Sequence, residues 1–185
     1  MKNKPLPDVN YLHLCFAYDA QSGNLVWRSR PLRHFASKKV GLGWNTKYAD
    51  RIAGHVDHST GYKKVILNGV KYSQSRIIFK MQRGYDPDYV DHRNTNRRDN
   101  TPANIRNCTK AQNNYNRRAS SLSNTGVKGC HWNKKAGKFK AEITKDGSKH
   151  YLGLFDAIED AKAAYYAAAQ RLFGEFAPLP RSVTN

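Results

Sequence analysis

Acidic residues are scarce in this sequence. Against 32 lysines and arginines stand 14 aspartates and glutamates, a formal net charge of +18 over 185 residues. A coat of mixed sign is excluded by that imbalance, and a polyanionic partner is indicated. Nucleic acid fits first and an anionic membrane surface a distant second. Long apolar runs are missing too. No stretch approaches the ~20 apolar residues that span a bilayer, so no membrane partner is expected. The start, MKNKPLPD, is basic without an apolar run behind it, and no secretory signal is expected. Cysteine is rare: Cys15, Cys108 and Cys130 are far apart and form no CxxC pair. That spacing argues against a structural zinc and for a reducing compartment, with the thiols serving as small buried or half-buried hydrophobes.

What is present divides unevenly along the chain. The Ser-rich segment 117–126 lacks apolar periodicity and reads as a linker, taken as 120–125. Residues 1–119 hold 22 basic and 8 acidic residues, and residues 120–185 hold 10 and 6. The first part is therefore expected to make most phosphate contacts.

Within it, Tyr11–Tyr18 and Leu25–Trp27 read as a hairpin about Gln21-Ser22-Gly23-Asn24. Residues 30–58 read as loop. A second hairpin, Tyr62–Leu67 with Val70–Tyr72, turns at Asn68-Gly69, a pair suited to a type I′ turn. Ile77, Ile78 and Met81 predict a short helix ending at Gly84, and Val90-Asp91-His92 a short strand. His13, on the first predicted strand, and the loop residues His55 and His58 receive no catalytic role. Beyond the linker, Val127–Asn133, Phe139–Thr144 and Lys149–Leu154 predict three antiparallel strands. A helix follows over about 157–173, opened by a capping box of Asp156 and Glu159 and closed at Gly174. Ile158, Ala161, Tyr165, Ala168 and Leu172 form its apolar stripe.

The stretch DHRNTNRRDNTPANIRNCTKAQNNYNRR, residues 91–118, stands apart. After His92 it carries seven basic residues (Arg93, Arg97, Arg98, Arg106, Lys110, Arg117 and Arg118), one acid (Asp99) and eight asparagines. Asp91-His92 places a carboxylate and an imidazole in a field of phosphate-binding groups. Phosphodiester hydrolysis needs a base for water, a cation for the leaving oxyanion and donors for the phosphate. Asp91 can bind a hard cation, His92 can act as base near neutral pH, and asparagine carbonyls can complete a sparse Mg²⁺ shell.

Asp91-His92, Asn104-Ile105-Arg106 and Asn113 resemble the signature of HNH endonucleases of the phage homing type, in the zinc-free form with a terminal asparagine. His92 lies twelve residues before Asn104 and twenty-one before Asn113. The resemblance covers roughly 60 residues (about 60–118). It implies a ββα-metal fold in which Asp91 and Asn113 ligate Mg²⁺ or Mn²⁺ and His92 deprotonates water. Asn104 would orient His92 or brace the connecting loop. It further implies double-stranded DNA as substrate, 5′-phosphate and 3′-hydroxyl products, and a setting in the cytoplasm of a bacterial host. The sequence departs from such relatives at Ser75-Arg76, where they carry His-Arg. One site per monomer favours nicking, by a monomer or a DNA-induced dimer.

Residues 126–174 resemble an AP2/ERF DNA-binding domain through Val127-Lys128-Gly129-Cys130, Trp132, Lys138–Ile143, Tyr151–Phe155 and Glu159…Gly174. The resemblance implies a sheet laid on DNA. Phe139, Ala141 and Ile143 alternate with Lys138, Lys140 and Glu142, giving one packing face and one DNA face. The faces of the first strand stay open, with Lys128, His131, Trp132 and Lys134 all candidates. Arginines of the plant relatives' sheets are mostly absent here, so phosphate positioning is expected above sequence readout.

The expected fold class is thus α+β: a ββα-metal nuclease domain within 1–119, a linker, an AP2-like domain at 126–178 and a tail at 179–185. Expected nucleic-acid contacts in the first part are Arg76, Arg93, Arg97, Arg98, Arg106, Arg117 and Arg118. In the second they are Lys128, His131, Lys134, Lys138, Lys140 and Lys149. A DNA-binding regulator with a decayed nuclease domain is the alternative, and an RNA-directed protein a third reading.

Overall fold

The computed structural model describes residues 4–120, 123 and 125–179. The chain divides into two compact units, Met1–His92 with Asn96–Cys108, and Arg93–Thr95 with Thr109–Asn185. The division does not fall at the Ser-rich segment, of which residues 121, 122 and 124 lie outside the described residues. Most of the expected tail, 180–185, also lies outside them. Among the described residues no helix is long and apolar enough to cross a membrane.

The first unit opens with α1 (Val9–Cys15), where a strand was expected. The Asp8 carboxylate accepts from the Asn10 and Tyr11 amides and caps the helix, and Leu12 and Cys15, three apart, are buried on one face. His13 is therefore helical. The strand begins only at β1 (Phe16–Asp19), which pairs antiparallel with β2 (Asn24–Trp27) around the expected turn. The predicted loop contains a helix, α2 (Lys38–Tyr48), capped by Ser37. Gly41 and Gly43 weaken its local signal. Trp44 holds it by packing on Trp27, with ring centroids 4.9 Å apart.

A three-stranded sheet follows, β3 (His55–Val56), β4 (Lys63–Leu67) and β5 (Val70–Ser73). Asn68 and Gly69, both at positive φ, turn the β4–β5 hairpin as predicted. Next come α3 (Gln74–Arg83), ended by Gly84 at φ 83°, β6 (Tyr89–His92) and β7 (Ile105–Cys108). The core gathers Leu12, Phe16, Leu25, Val65, Ile77, Ile78 and Ile105.

The second unit begins with α4 (Lys110–Tyr115), started by a capping box between Thr109 and Gln112. Tyr115 stacks on Phe173 at 3.9 Å between ring centroids, and its hydroxyl donates to Asp146 at 2.9 Å. These contacts join α4 to the C-terminal elements. Strands β8 (Cys130–Asn133), β9 (Lys138–Lys145) and β10 (Ser148–Phe155) form an antiparallel sheet with β9 in the centre. It packs on α5 (Ile158–Phe173) through Ala141, Ile143, Ala161, Tyr165 and Ala168. The expected capping box is absent. Ala157 is the N-cap, without a side-chain bond, and Asp156 pairs instead with Lys138 at 3.1 Å.

Candidate active site

The first unit concentrates its buried polar groups around the β6–β7 hairpin. Asp91 lies opposite Arg106 in the antiparallel register, and His92 lies opposite Ile105. Residues opposite one another share a face, and successive residues alternate. Asp91 and His92 accordingly meet different partners. Arg106 donates to Asp91 Oδ2 from Nε at 2.9 Å and from Nη2 at 2.7 Å. Both side chains are buried. Arg106, expected to contact nucleic acid, is thus the partner of the proposed metal-binding carboxylate. Register explains it: an arginine directly across the ladder reaches the carboxylate without bending.

His92 Nε2 lies 3.0 Å from Asn100 Oδ1, and the Tyr62 ring flanks the imidazole at 5.7 Å. Burial holds the His92 imidazole below its ordinary pKa, opposed by the bond to Asn100 and by the Asp91 and Asp99 carboxylates. Burial thereby favours the neutral ring, the state a general base requires. Asn104 donates from Nδ2 to the Asp99 carbonyl at 2.6 Å. That bond lies along the loop between the strands, and Asn100 is a further residue bonded to the imidazole. Spacing gave no sign of Asn100, one asparagine among eight.

Asn113 sits on α4, in the second unit. Asp91 carries the hard oxygen donors that a cation such as Mg²⁺ takes, and both of its bonds from Arg106 fall on Oδ2. Ser75, at the departure from the expected His-Arg pair, is buried and shares a hydrogen bond with the Ser73 hydroxyl at 2.9 Å.

The expected nucleic-acid contacts separate by environment. Arg76 is largely buried, donates to the Lys4 carbonyl at 2.9 Å and lies 3.8 Å from Asp86. It ties down the N-terminal segment. Arg97 is exposed, donates to the Thr60 carbonyl at 2.7 Å and lies over the Tyr62 ring. Arg93 is exposed and pairs with Glu175 at 3.3 Å, and Arg118 donates to Thr95 Oγ1 at 3.1 Å. Arg98 and Arg117 are exposed.

In the second unit Lys128 is bonded within the protein. Its ammonium donates to the Asn114 carbonyl at 2.6 Å, near the end of α4, and burial lowers its pKa. The register settles the first strand's faces: Cys130 pairs with buried Ala141, and His131 pairs with Lys140 on the outer face. Trp132 shares the face of Phe139, its ring 4.8 Å away. Lys140 and Lys138 carry acidic partners, Glu142 at 2.7 Å and Asp156 at 3.1 Å. His131, Lys134 and Lys149 are exposed.

Comparison with known proteins agrees with the geometry. Residues 72–115 match the HNH endonuclease family. That span runs from β5 to the end of α4 and includes Asp91, His92, Asn104 and Asn113. Over that span the chain is similar to HNH endonuclease domains. It is also similar to an uncharacterized HNH endonuclease of Acanthamoeba polyphaga mimivirus, 37% identical over 89 residues. The match covers 48% of this chain and 45% of that relative, so the chain spans about half the relative's length. No solved structure matches.

Proposed function

We propose that this protein hydrolyses phosphodiester bonds in double-stranded DNA with a divalent cation, nicking one strand per site in the manner of a homing endonuclease. The observation that carries this is His92: buried on the β6–β7 hairpin and bonded at 3.0 Å to a buried asparagine, with burial lowering its pKa. His92 takes a proton from water as its oxygen attacks phosphorus. The bond to the 3′ oxygen breaks, leaving a 5′-phosphate and a 3′-hydroxyl that gains its proton from solvent. Asp91 and Asn113 would hold Mg²⁺ or Mn²⁺, which supplies positive charge to the developing oxyanion. Exposed arginines of 93–118 hold flanking phosphates. The C-terminal sheet, read as AP2-like, lays His131 and Lys149 along the duplex and positions the nuclease by backbone contacts more than by base readout.

Relaxation of supercoiled plasmid tests this. Wild type with Mg²⁺ converts it to the nicked form. His92→Ala lowers the rate by about 10²-fold or more, the range of a lost general base, and chelation abolishes it. Equal conversion by wild type and His92→Ala sinks the mechanism. One observation favours the non-catalytic regulator: Arg106 occupies Asp91 as an ion pair. On that reading the wild type binds duplex DNA tightly and cuts none at any Mg²⁺ concentration.

A further inference from the structure

We infer that Asn100 and Gln74 are positioning residues that fix the tautomer of His92, leaving its lone pair on Nδ1. The inference deepens the nuclease reading, but its geometric part stands without it.

The relay starts at a group with no choice. The Ala53 carbonyl oxygen can only accept, and a nitrogen-sized donor approaches it: Gln74 Nε2 at 2.6 Å. Gln74 must therefore turn its NH₂ to Ala53 and its Oε1 the other way. Oε1 faces Asn100, which must supply its own NH₂, at 3.2 Å. Asn100 Oδ1 then faces His92 Nε2 at 3.0 Å, and two acceptors at that distance would repel, so Nε2 carries the hydrogen. Reversing Gln74 sets like against like at both of its ends, and reversing Asn100 sets its oxygen against Gln74 Oε1. Gln74 and Asn100 are each 1% exposed and His92 4%, so water cannot relieve such a mismatch.

Both ends of the relay are anchored by the N-terminal hairpin, an element the nuclease reading leaves without a role. The Ala53 amide donates to the Leu25 carbonyl of β2 at 2.8 Å. The Tyr18 hydroxyl of β1 donates to the Asn100 carbonyl at 2.8 Å, and burial with the Asp19 and Asp99 carboxylates pushes that phenol up to about 12, so it stays a donor. Gly23, at φ +67°, lies against the Asn100 backbone so closely that a Cβ would come within 2.9 Å of the Asn100 carbonyl carbon. Asn100 is thus fixed along its main chain by β1–β2 and at its side chain by Gln74. An imidazole with hydrogen on Nε2 can take a proton only at Nδ1. The other tautomer would offer water an N–H there and could not act as base through that atom.

Imidazole ¹⁵N spectra of the full-length, metal-free protein test the relay in the neutral-histidine range. Wild type should show a protonated-type shift at His92 Nε2 and an unprotonated-type shift at Nδ1. Asn100→Leu, which removes the acceptor, should move population to the Nδ1–H form. Gln74→Met, which unlocks the Asn100 amide, should do so in part, and it carries the test alone where Asn100→Leu does not fold. In the plasmid assay both variants should lower kcat by about 10- to 100-fold, as lost outer-shell partners do, with the KM for DNA unchanged. A wild-type Nδ1–H tautomer, or an unshifted tautomer in the folded variants, overturns the inference. The expected tautomers in a protein that nicks no DNA would support the relay and overturn the nuclease reading alone.

Discussion

At the scale of single residues, the Asp91–Arg106 pair sets two demands against each other. A buried carboxylate bonded twice by one guanidinium is well satisfied without a metal. Removing the arginine takes a guanidinium away from a buried carboxylate. Arg106→Met should therefore destabilise the metal-free protein by about 3–5 kcal/mol, the usual cost of breaking a buried pair. Where Asp91 is a metal ligand, Mg²⁺ replaces the lost positive charge. Urea denaturation with and without millimolar Mg²⁺ checks both statements. The variant's deficit should shrink with Mg²⁺, and a deficit indifferent to the metal would count against Asp91 as a ligand. Arginine at this register position thus supplies the counter-charge that faces Asp91 inside the fold. Neither residue could be assigned that role from the basic stretch alone, where Arg106 reads as one phosphate contact among seven cations.

At the scale of elements, Gly129 shows how closely the C-terminal sheet rests on its helix. It precedes β8 at φ +75°, and a Cβ there would overlap the Glu142 carbonyl oxygen and the Tyr165 ring. Gly129→Ala should cost about 1–3 kcal/mol in backbone strain alone, with the overlap adding to it. Hydrogen exchange should show amide protection lost across β8, β9 and α5 while β6 and β7 keep theirs. The elements legible in the sequence were those with strong local rules. Asn68-Gly69 fixed a hairpin, Gly84 a helix end, and alternation at Phe139, Ala141 and Ile143 a packing face. Elements decided by tertiary contact were not legible. Residues 11–15 have the composition of a strand but wind as a helix, because Asp8 caps them and Leu12 and Cys15 bury together. The helix at 38–48 carries two glycines and depends on Trp44 against Trp27. The same distinction runs through the site. Asp91 and His92 sit on one short strand and announce themselves by spacing. Gln74 and Asn100 meet His92 only because three separate elements converge, and no local pattern records that.

At the scale of the whole molecule, a net charge of +18 does not by itself say which cations meet phosphate. Each neutralised phosphate releases counterions and contributes about −0.9 to the slope of log affinity against log salt for duplex DNA. Charges that are both bonded within the protein and shielded from solvent release none on binding. Arg76, bonded to the Lys4 carbonyl and beside Asp86, belongs to that second group. So does Lys128, set against the carbonyl of Asn114. Exposed Lys149 and Arg117 belong to the first. Binding of a duplex measured from about 50 to about 200 mM salt, the range over which phosphate contacts reveal themselves, separates the groups. Lys149→Ala and Arg117→Ala should each flatten the slope by about 0.9, while Arg76→Gln should leave it unchanged. A flattened slope for Arg76→Gln, or an unchanged one for Lys149→Ala, would mean that bonding within each unit does not decide which cations reach the backbone. Reading the footprint from slopes has the further advantage of not depending on cleavage. It maps the DNA-facing surface equally for a nuclease and for a regulator, and so leaves the plasmid assay to distinguish those two alone.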